Sequence, residues 1–286
     1  MFADRIDLSS KTIVQIARLL PADLGVLARL GTMLQDVNSE LSAIATLLRG
    51  DVALAARIVR ISNSATFGSS GRIASVEDAV NRVGFTEILR LVGTATAARF
   101  AHLGLENYGI TARRLRDNIL YGAFASEALA RASGADARVA YTAGLLRPIG
   151  LMILNQAARD YLAPGRHFIP AEWPSYSAWE MHSFGIDHCE VAAMVLDEWR
   201  FPEEVGQAIR SHAMARPEDL TRPLAALLNV ANGLAHRVSR SFPGEVHWWE
   251  ITKDRLLAAG LTEQDFEPAI IGTEAAFEAA IAATSS

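Results

Sequence analysis

The chain has 286 residues, 50% of them apolar and 21% charged, with a formal net charge of −5. That length supports one large domain or two small ones around a substantial core, and the composition is that of an ordinary globular protein. The single cysteine, Cys189, excludes an internal disulfide and suits a reducing compartment, so a cytoplasmic location is expected.

No Lys/Arg cluster offers a phosphate-tracking surface. The densest basic spot, Arg113-Arg114-Leu115-Arg116, is one helical turn followed by Asp117; it reads as a solvated face, and no nucleic-acid partner is expected. The longest apolar stretches, 143–154 and 224–230, are broken by charge or polarity well short of a membrane span. No basic start leads into an apolar segment, so no secretory signal and no membrane partner are expected.

The periodicity is helical nearly throughout. Ser39 caps a helix that ends at Gly50, and Asp51 caps the next, VALAARIVRIS. Ser75-Val76-Glu77-Asp78 has a capping-box-like arrangement, and Gly84 closes the short helix behind it. Residues 86–101 and 111–133 read as longer helices, the second ending at Gly134. The apolar run AYTAGLLRPIGLMILNQAA follows, then a loop at 164–174. Asp187-His188-Cys189-Glu190 starts a helix that stops before Pro202. Residues 203–210, 223–238 and an alanine-rich tail from Thr273 complete the set. No segment alternates as a strand, so the fold class is all-α. The loops at 102–110 and 213–222 are the candidate seams between subdomains.

One heptapeptide is out of place: Gly144-Leu145-Leu146-Arg147-Pro148-Ile149-Gly150 sets a charge and a helix breaker inside an apolar run. Together with three other features it carries a resemblance. These are Asp51 to Ala65, Ile73 to Gly84, and a later series of Gly185-Ile186-Asp187-His188-Cys189-Glu190, Trp199-Arg200-Phe201-Pro202 and Ser211-His212. In order and spacing they resemble the HDOD family, over roughly residues 20–235. This is an all-helical bacterial regulatory module related to the HD metal-dependent phosphohydrolases.

The resemblance implies an HDOD domain over 20–217, with an N-terminal helical lobe to about residue 105 and a degenerate HD-like lobe over about 106–240. A helical extension would then follow over 241–286. It also implies where the metal ligands of an active relative would stand. The first histidine falls near Asn118, the His-Asp pair on Arg147-Pro148, a later histidine on His188, paired histidines on His212-Ala213, and a final aspartate near Asn232. A catalytic dication needs several hard or borderline ligands and an open position for water. Asn118 and Asn232 offer neutral amide oxygens, Pro148 and Ala213 offer nothing, and Arg147 repels a cation. The reading is a pseudo-hydrolase with no cofactor and no catalytic residue.

His188 and His212 could ligate a metal with help from Asp187 or Glu190, or could simply bond backbone at helix ends. Cys189 lies inside the Asp187-capped helix, but its acidic neighbours and the apolar run after it favour a packed thiol. Asn63-Ser64-Ala65 reads as a helix-end structure, and Gly68-Ser69-Ser70-Gly71 as a turn without a phosphate-binding lysine. Trp248-Trp249 and the Trp173, Tyr176, Trp179 group read as core packing or, where exposed, as a protein-binding surface.

For Arg147 and Pro148 two readings stand. Pro148 fits a first helical turn with Arg147 just outside it. Alternatively Arg147 points into the former metal cavity, where it pairs with an acid such as Asp117 or Glu180, or receives a small anionic ligand together with His188 and His212. The expected function is that of a non-catalytic signalling protein acting through a protein partner. A sensor of a nucleotide or other phosphorylated anion is the alternative, and a surviving phosphohydrolase the third reading.

Overall fold

Helix starts in this chain are written by side chains that accept the first orphan amides. A computed structural model describes residues 5–20, 26, 29–30, 33, 41–50, 52–63, 73–99 and 103–285. Within them Ser9 accepts from the Thr12 amide at 3.2 Å and opens α1 (Ser10–Ala17). Helices α2 (Leu41–Arg49) and α3 (Val52–Ser62) pack on α4 (Val76–Arg99). The caps expected at Ser39 and Asp51 lie outside the described residues, as do Ser64, Ala65 and the 68–71 turn. Ser75 accepts from the Asp78 amide at 3.0 Å as its position predicts. Gly84 breaks α4 with a left-handed φ of 77°. Asn63 bonds the Val59 and Ile73 carbonyls and the Ile73 amide, each at 2.8 Å, so it pins one chain segment to the next.

The second half is built on α5 (Ala112–Ser133), capped by Thr111 and closed by a left-handed Gly134. Around it pack α6 (Ala137–Leu146), α11 (Pro223–Arg237) and α13 (Phe266–Ser285). The buried Glu127 of α5 receives Arg90 of α4 at 2.6 Å, which ties the two halves together. Helix α7 (Ile149–Tyr161) packs on α9 (His188–Glu198), and α9 on α10 (Glu203–Ser211). Helix α8 (Tyr176–Phe184) is capped by Ser175, and a short α12 (Lys253–Ala258) by Thr252. Helix α1 lies on α7 and α9 although it comes from the N-terminal end of the chain.

The all-α expectation holds: among the described residues there is no strand, only an isolated antiparallel bridge between Leu105 and Ile110. Three helices were not expected, α1, α8 and α12; none exceeds nine residues, too few for an apolar period to stand out. The last helix begins at Phe266, not at Thr273, because the Thr262–Asp265 capping box starts it earlier.

The apolar run 137–161 is, by length and composition, apolar enough to cross a membrane, which corrects the expectation that it falls well short. In the fold it is two helices meeting at Arg147-Pro148, and 83% of its most apolar window is buried against the protein's own helices. Pro148 precedes α7 with φ −80°, where its missing N–H costs nothing. Glycine permits the crossings. A Cβ on Gly144 would meet Ser126 Oγ at 2.7 Å and the Gly122 carbonyl oxygen at 2.8 Å, and one on Gly150 would overlap the His188 carbonyl oxygen.

Gly150→Ala therefore has to push α9 away from α7. It should lower stability by about 1–3 kcal/mol or more, the usual overpacking range, measured by urea denaturation. Gly206→Ala in α10, whose nearest neighbour is the Ala193 carbonyl at 3.8 Å, should instead be neutral or gain up to about 1 kcal/mol. Equal effects of the two changes would refute the crossing argument.

Candidate functional site

The bend between α6 and α7 places Arg147 inside the core with 1% of its surface exposed. A buried guanidinium keeps its charge and therefore needs acceptors. Glu245 supplies two, its Oε1 and Oε2 accepting from Nη1 at 3.1 and 3.0 Å, and Asn118 Oδ1 accepts from Nη2 at 2.5 Å. The Phe242 and Trp249 rings cover the guanidinium at 5.2 and 5.6 Å from their centroids. The Asn118 amide is used on both sides, since its Nδ2 donates to the Arg240 carbonyl at 2.8 Å.

Glu245 comes from the short 3-10 segment Pro243–Trp248 and is fully buried. Gly244 lets it arrive, because a Cβ there would overlap the Tyr176 ring. Burial alone would raise the Glu245 pKa, but Arg147 and then His188 outweigh it and hold the carboxyl down to about 2.

His188 opens α9 behind its Asp187 cap and has no exposed surface. Its amide and its Nδ1 both donate to Glu180 Oε2, at 2.9 and 2.7 Å. Its Nε2 stands 3.2 Å from Glu245 Oε1, an ion-pair distance without the angle of a directed hydrogen bond. Burial opposes charge on this ring, yet the Glu180 carboxylate wins and holds the imidazole pKa well above 6.5. The ring is an imidazolium, stacked on Trp248 at 5.6 Å. Tyr108 completes the row by donating to Glu180 Oε1 at 2.8 Å. Two cations, Arg147 and His188, thus alternate with two carboxylates, Glu245 and Glu180, in a buried and neutral chain.

His212 closes α10 and behaves oppositely. Its Nδ1 donates to the Ile209 carbonyl at 2.6 Å, and its Nε2 has no partner among the described residues. Burial and the Arg147 charge lower its pKa to about 3, so it is neutral. It stacks on Trp249 at 5.7 Å. Cys189 Sγ lies 3.8 Å from its Nδ1, and burial pushes that thiol up to about 11, which makes it a packed group and a poor nucleophile.

Of the positions singled out by sequence, Asn118, Arg147 and His188 meet around Glu245, with His212 beside them across the Trp248 and Trp249 rings. Asn232 does not join them; its amide bonds the Leu228 carbonyl on its own helix at 2.8 Å. Ala213 is half-buried and Pro148 buried, and neither has a ligating atom. The expected acid partners of Arg147 are corrected. Asp117 pairs with Arg116 at 2.7 Å, and Glu180 is taken by His188 and Tyr108. Trp249, Tyr176 and Trp179 are core residues, while Trp173 is half-buried against the exposed His182 ring.

Glu245 is the residue the sequence reading missed, along with Tyr108 and Asn229. The Asn229 amide donates to the His212 and Trp248 carbonyls at 2.9 and 3.0 Å and staples the aromatic segment down. The one available signal was a lone acid in a Pro-Gly turn between Phe242 and Trp248-Trp249.

A hydrolytic metal does not fit these side chains. Both carboxylates are committed to internal cations, His188 has no free lone pair while protonated, and Arg147 occupies the centre. Among the described residues no three His, Cys, Asp or Glu side chains converge as a metal-binding group.

Comparison with known proteins gives a consistent picture. The HDOD domain profile matches residues 20–215. An uncharacterised protein of Treponema pallidum (strain Nichols) is 26% identical over 226 residues, 78% of this chain and 42% of that protein. The chain thus spans less than half the length of that relative. Among solved structures, an HDOD domain protein of unknown function from Geobacter sulfurreducens has a TM-score of 0.60 at 19% identity, covering 94% of this chain and 98% of that one. A candidate phosphohydrolase from Shewanella amazonensis SB2B has a TM-score of 0.61 at 20% identity, over 94% and 97%. A candidate signal transduction protein from Marinobacter aquaeolei VT8 has a TM-score of 0.64 at 21% identity, over 93% of this chain and 59% of that one. At these identities the likenesses establish the fold.

The buried chain makes two predictions. Arg147→Met leaves Glu245 short of its main partner and should cost about 3–5 kcal/mol in urea unfolding, whereas Arg147→Met/Glu245→Gln should recover a good part of that loss. Additive losses would show that the two do not act as a pair.

The second concerns pH. His212 has a folded pKa below its unfolded value of about 6.5, so the unfolded state takes up a proton that the folded state refuses. Stability from this group is therefore full above pH 6.5 and lost as pH falls toward 3, by about 1.4 kcal/mol per unit. His188, raised, acts in the other direction: its contribution is full below 6.5 and is lost as pH rises through its folded pKa. His212→Gln should flatten the acid limb between pH 6.5 and 4.5; an unchanged slope would contradict a neutral buried His212.

Proposed function

The chain belongs to the HDOD family, and from that premise we propose that it is a non-catalytic regulatory protein that works by binding another protein. The observation that carries this reading is the buried Arg147–Glu245 pair, both carboxylate oxygens accepting from Nη1, in the position where the family resemblance puts a metal-binding His-Asp pair. A site built to hold and release a hydrolytic metal has open coordination and water access. Here the same space holds a fixed cation, an imidazolium and two carboxylates that satisfy one another.

The similar fold of a candidate signal transduction protein accords with a regulatory role. Its greater length, and that of the Treponema relative, is in keeping with a module that also occurs within longer chains. The phosphohydrolase description of another relative does not transfer, because it requires ligands that Arg147 and Pro148 do not supply. A small anion in this same cavity is disfavoured as well. The Arg147 donors already serve Glu245 and Asn118, and aromatic rings cover its faces.

Metal analysis of the purified chain, joined to a phosphodiesterase assay on bis(p-nitrophenyl) phosphate with added Mn2+, tests the non-catalytic half. Substoichiometric metal and turnover at the blank are expected; stoichiometric Fe, Mn or Zn with turnover would overturn it. For the binding half, a partner cross-linked in native cells should re-form a defined complex with the purified chain in the presence of a chelator. Failure of every captured protein to do so counts against this reading.

A further inference from the structure

Helix α5 opens on Thr111, whose hydroxyl accepts from the Arg114 amide at 3.3 Å, and its first turn carries no acid. Between that turn, residues 238–240 and α13 lies a cavity of about 450 Å3, within the range of small-molecule sites. One wall is basic, formed by Arg113, Arg114, Arg116 and Arg240 with Asp117 among them. The other is apolar, formed by Phe277 and Ile281.

The charges here do not cancel, unlike those around Arg147. Asp117 receives Arg116 at 2.7 Å and Arg113 only at 3.6 Å, and Arg113 is 85% exposed. Arg240 pairs with Glu274 behind it at 2.5 Å while lying over the Phe277 ring at 4.3 Å. Arg114 donates to the Ser241 carbonyl at 2.6 Å and has no carboxylate partner among the described residues. Four guanidinium groups against two carboxylates leave two positive charges around one open cavity, in a chain whose net charge is −5.

We propose that this cavity binds a small phosphorylated molecule, a pyrophosphate group seated on the arginines with an apolar portion against Phe277 and Ile281. Planar guanidinium forks match phosphate oxygens in pairs, and the free amides at the start of a 22-residue helix add to the field. The charge is too local for a nucleic-acid backbone, which needs several phosphates neutralised along a track. Residues 238–240 and α13 lie beyond the segment matched by the family, 20–215, while the start of α5 lies within it, so the site is made where the two meet. The inference is independent of how the Arg147 centre is read.

Isothermal titration calorimetry of the full chain at low salt tests it, with ADP, pyrophosphate, adenosine and a short single-stranded oligonucleotide as probes. ADP and pyrophosphate should bind and adenosine should not. ADP should bind more tightly than pyrophosphate, which assigns the Phe277 and Ile281 wall to the non-phosphate portion; equal or weaker ADP binding would overturn that half of the proposal and leave the arginines as a phosphate site. Arg113→Gln/Arg116→Gln should weaken binding by at least about tenfold, as loss of charge-assisted hydrogen bonds implies. The exposed control Arg159→Gln should leave it unchanged.

Asp117→Asn should strengthen binding severalfold by freeing Arg113 and Arg116, and it decides the matter should the double variant fold poorly. No binding of either anion, equal binding of adenosine, anion affinity indifferent to these substitutions, or binding of the oligonucleotide alone would overturn the proposal.

Discussion

One guanidinium that has to be neutralised without water governs the arrangement of the second half of this protein. Moving an ion of this kind out of water costs several kcal/mol even after relaxation, and attraction repays it only with close geometry and filled hydrogen-bond positions. Arg147 obtains both from Glu245 and Asn118. The consequence spreads outward. With Glu245 committed as an anion, a cation is tolerated at His188, and that cation in turn is held by Glu180, which Tyr108 then caps. His212, stacked on Trp249, stays neutral because burial, and after it the Arg147 charge, outweighs the pull of Glu245. The two histidines thus shift in opposite directions, His188 upward through Glu180 and His212 downward through burial and then Arg147.

The groups that neutralise Arg147 come from a part of the chain beyond the matched family segment, which ends at residue 215. Glu245, Phe242, Trp249 and the Arg240 carbonyl all lie after it, as does Asn229, which staples Trp248 to the end of α10. Energetically the 216–249 stretch is therefore no appendage. Without it the α6–α7 bend would bury a guanidinium beside Asn118 alone, and a half-satisfied buried charge is worse than an apolar core.

How much of this could be read beforehand follows from range. Helices with a capping side chain and a glycine or proline stop, such as Ala112–Ser133 before Gly134 and His188–Glu198 before Pro202, were legible because their signals are local. The bend at Arg147-Pro148 was legible for the same reason, since proline fixes φ and supplies no amide. The partner of Arg147 was not: 98 residues separate it from Glu245, with no period to link them. Glu180 was noticed but given to the wrong cation, because composition shows that an acid is present and only packing shows which base it faces. Asn232 was placed by register along α11, and the residue of that helix that reaches the centre is Asn229, one turn earlier.

Asn118 shows why the substituted residues are specific to the new arrangement. Its oxygen has to accept from Arg147 while its nitrogen donates to the Arg240 carbonyl. An aspartate would meet the first demand and add a second carboxylate, leaving the Arg240 carbonyl opposite an acceptor that cannot bond it. An alanine would meet neither. Only a neutral amide serves both sides, and through it the backbone of residue 240 is tied to the guanidinium. The arginine cavity on the other face of α5 includes the side chain of that same residue. The buried centre and the open basic cavity are thus separated by one asparagine. The charge of the first is cancelled within the fold, while that of the second is left for solvent or a ligand to meet.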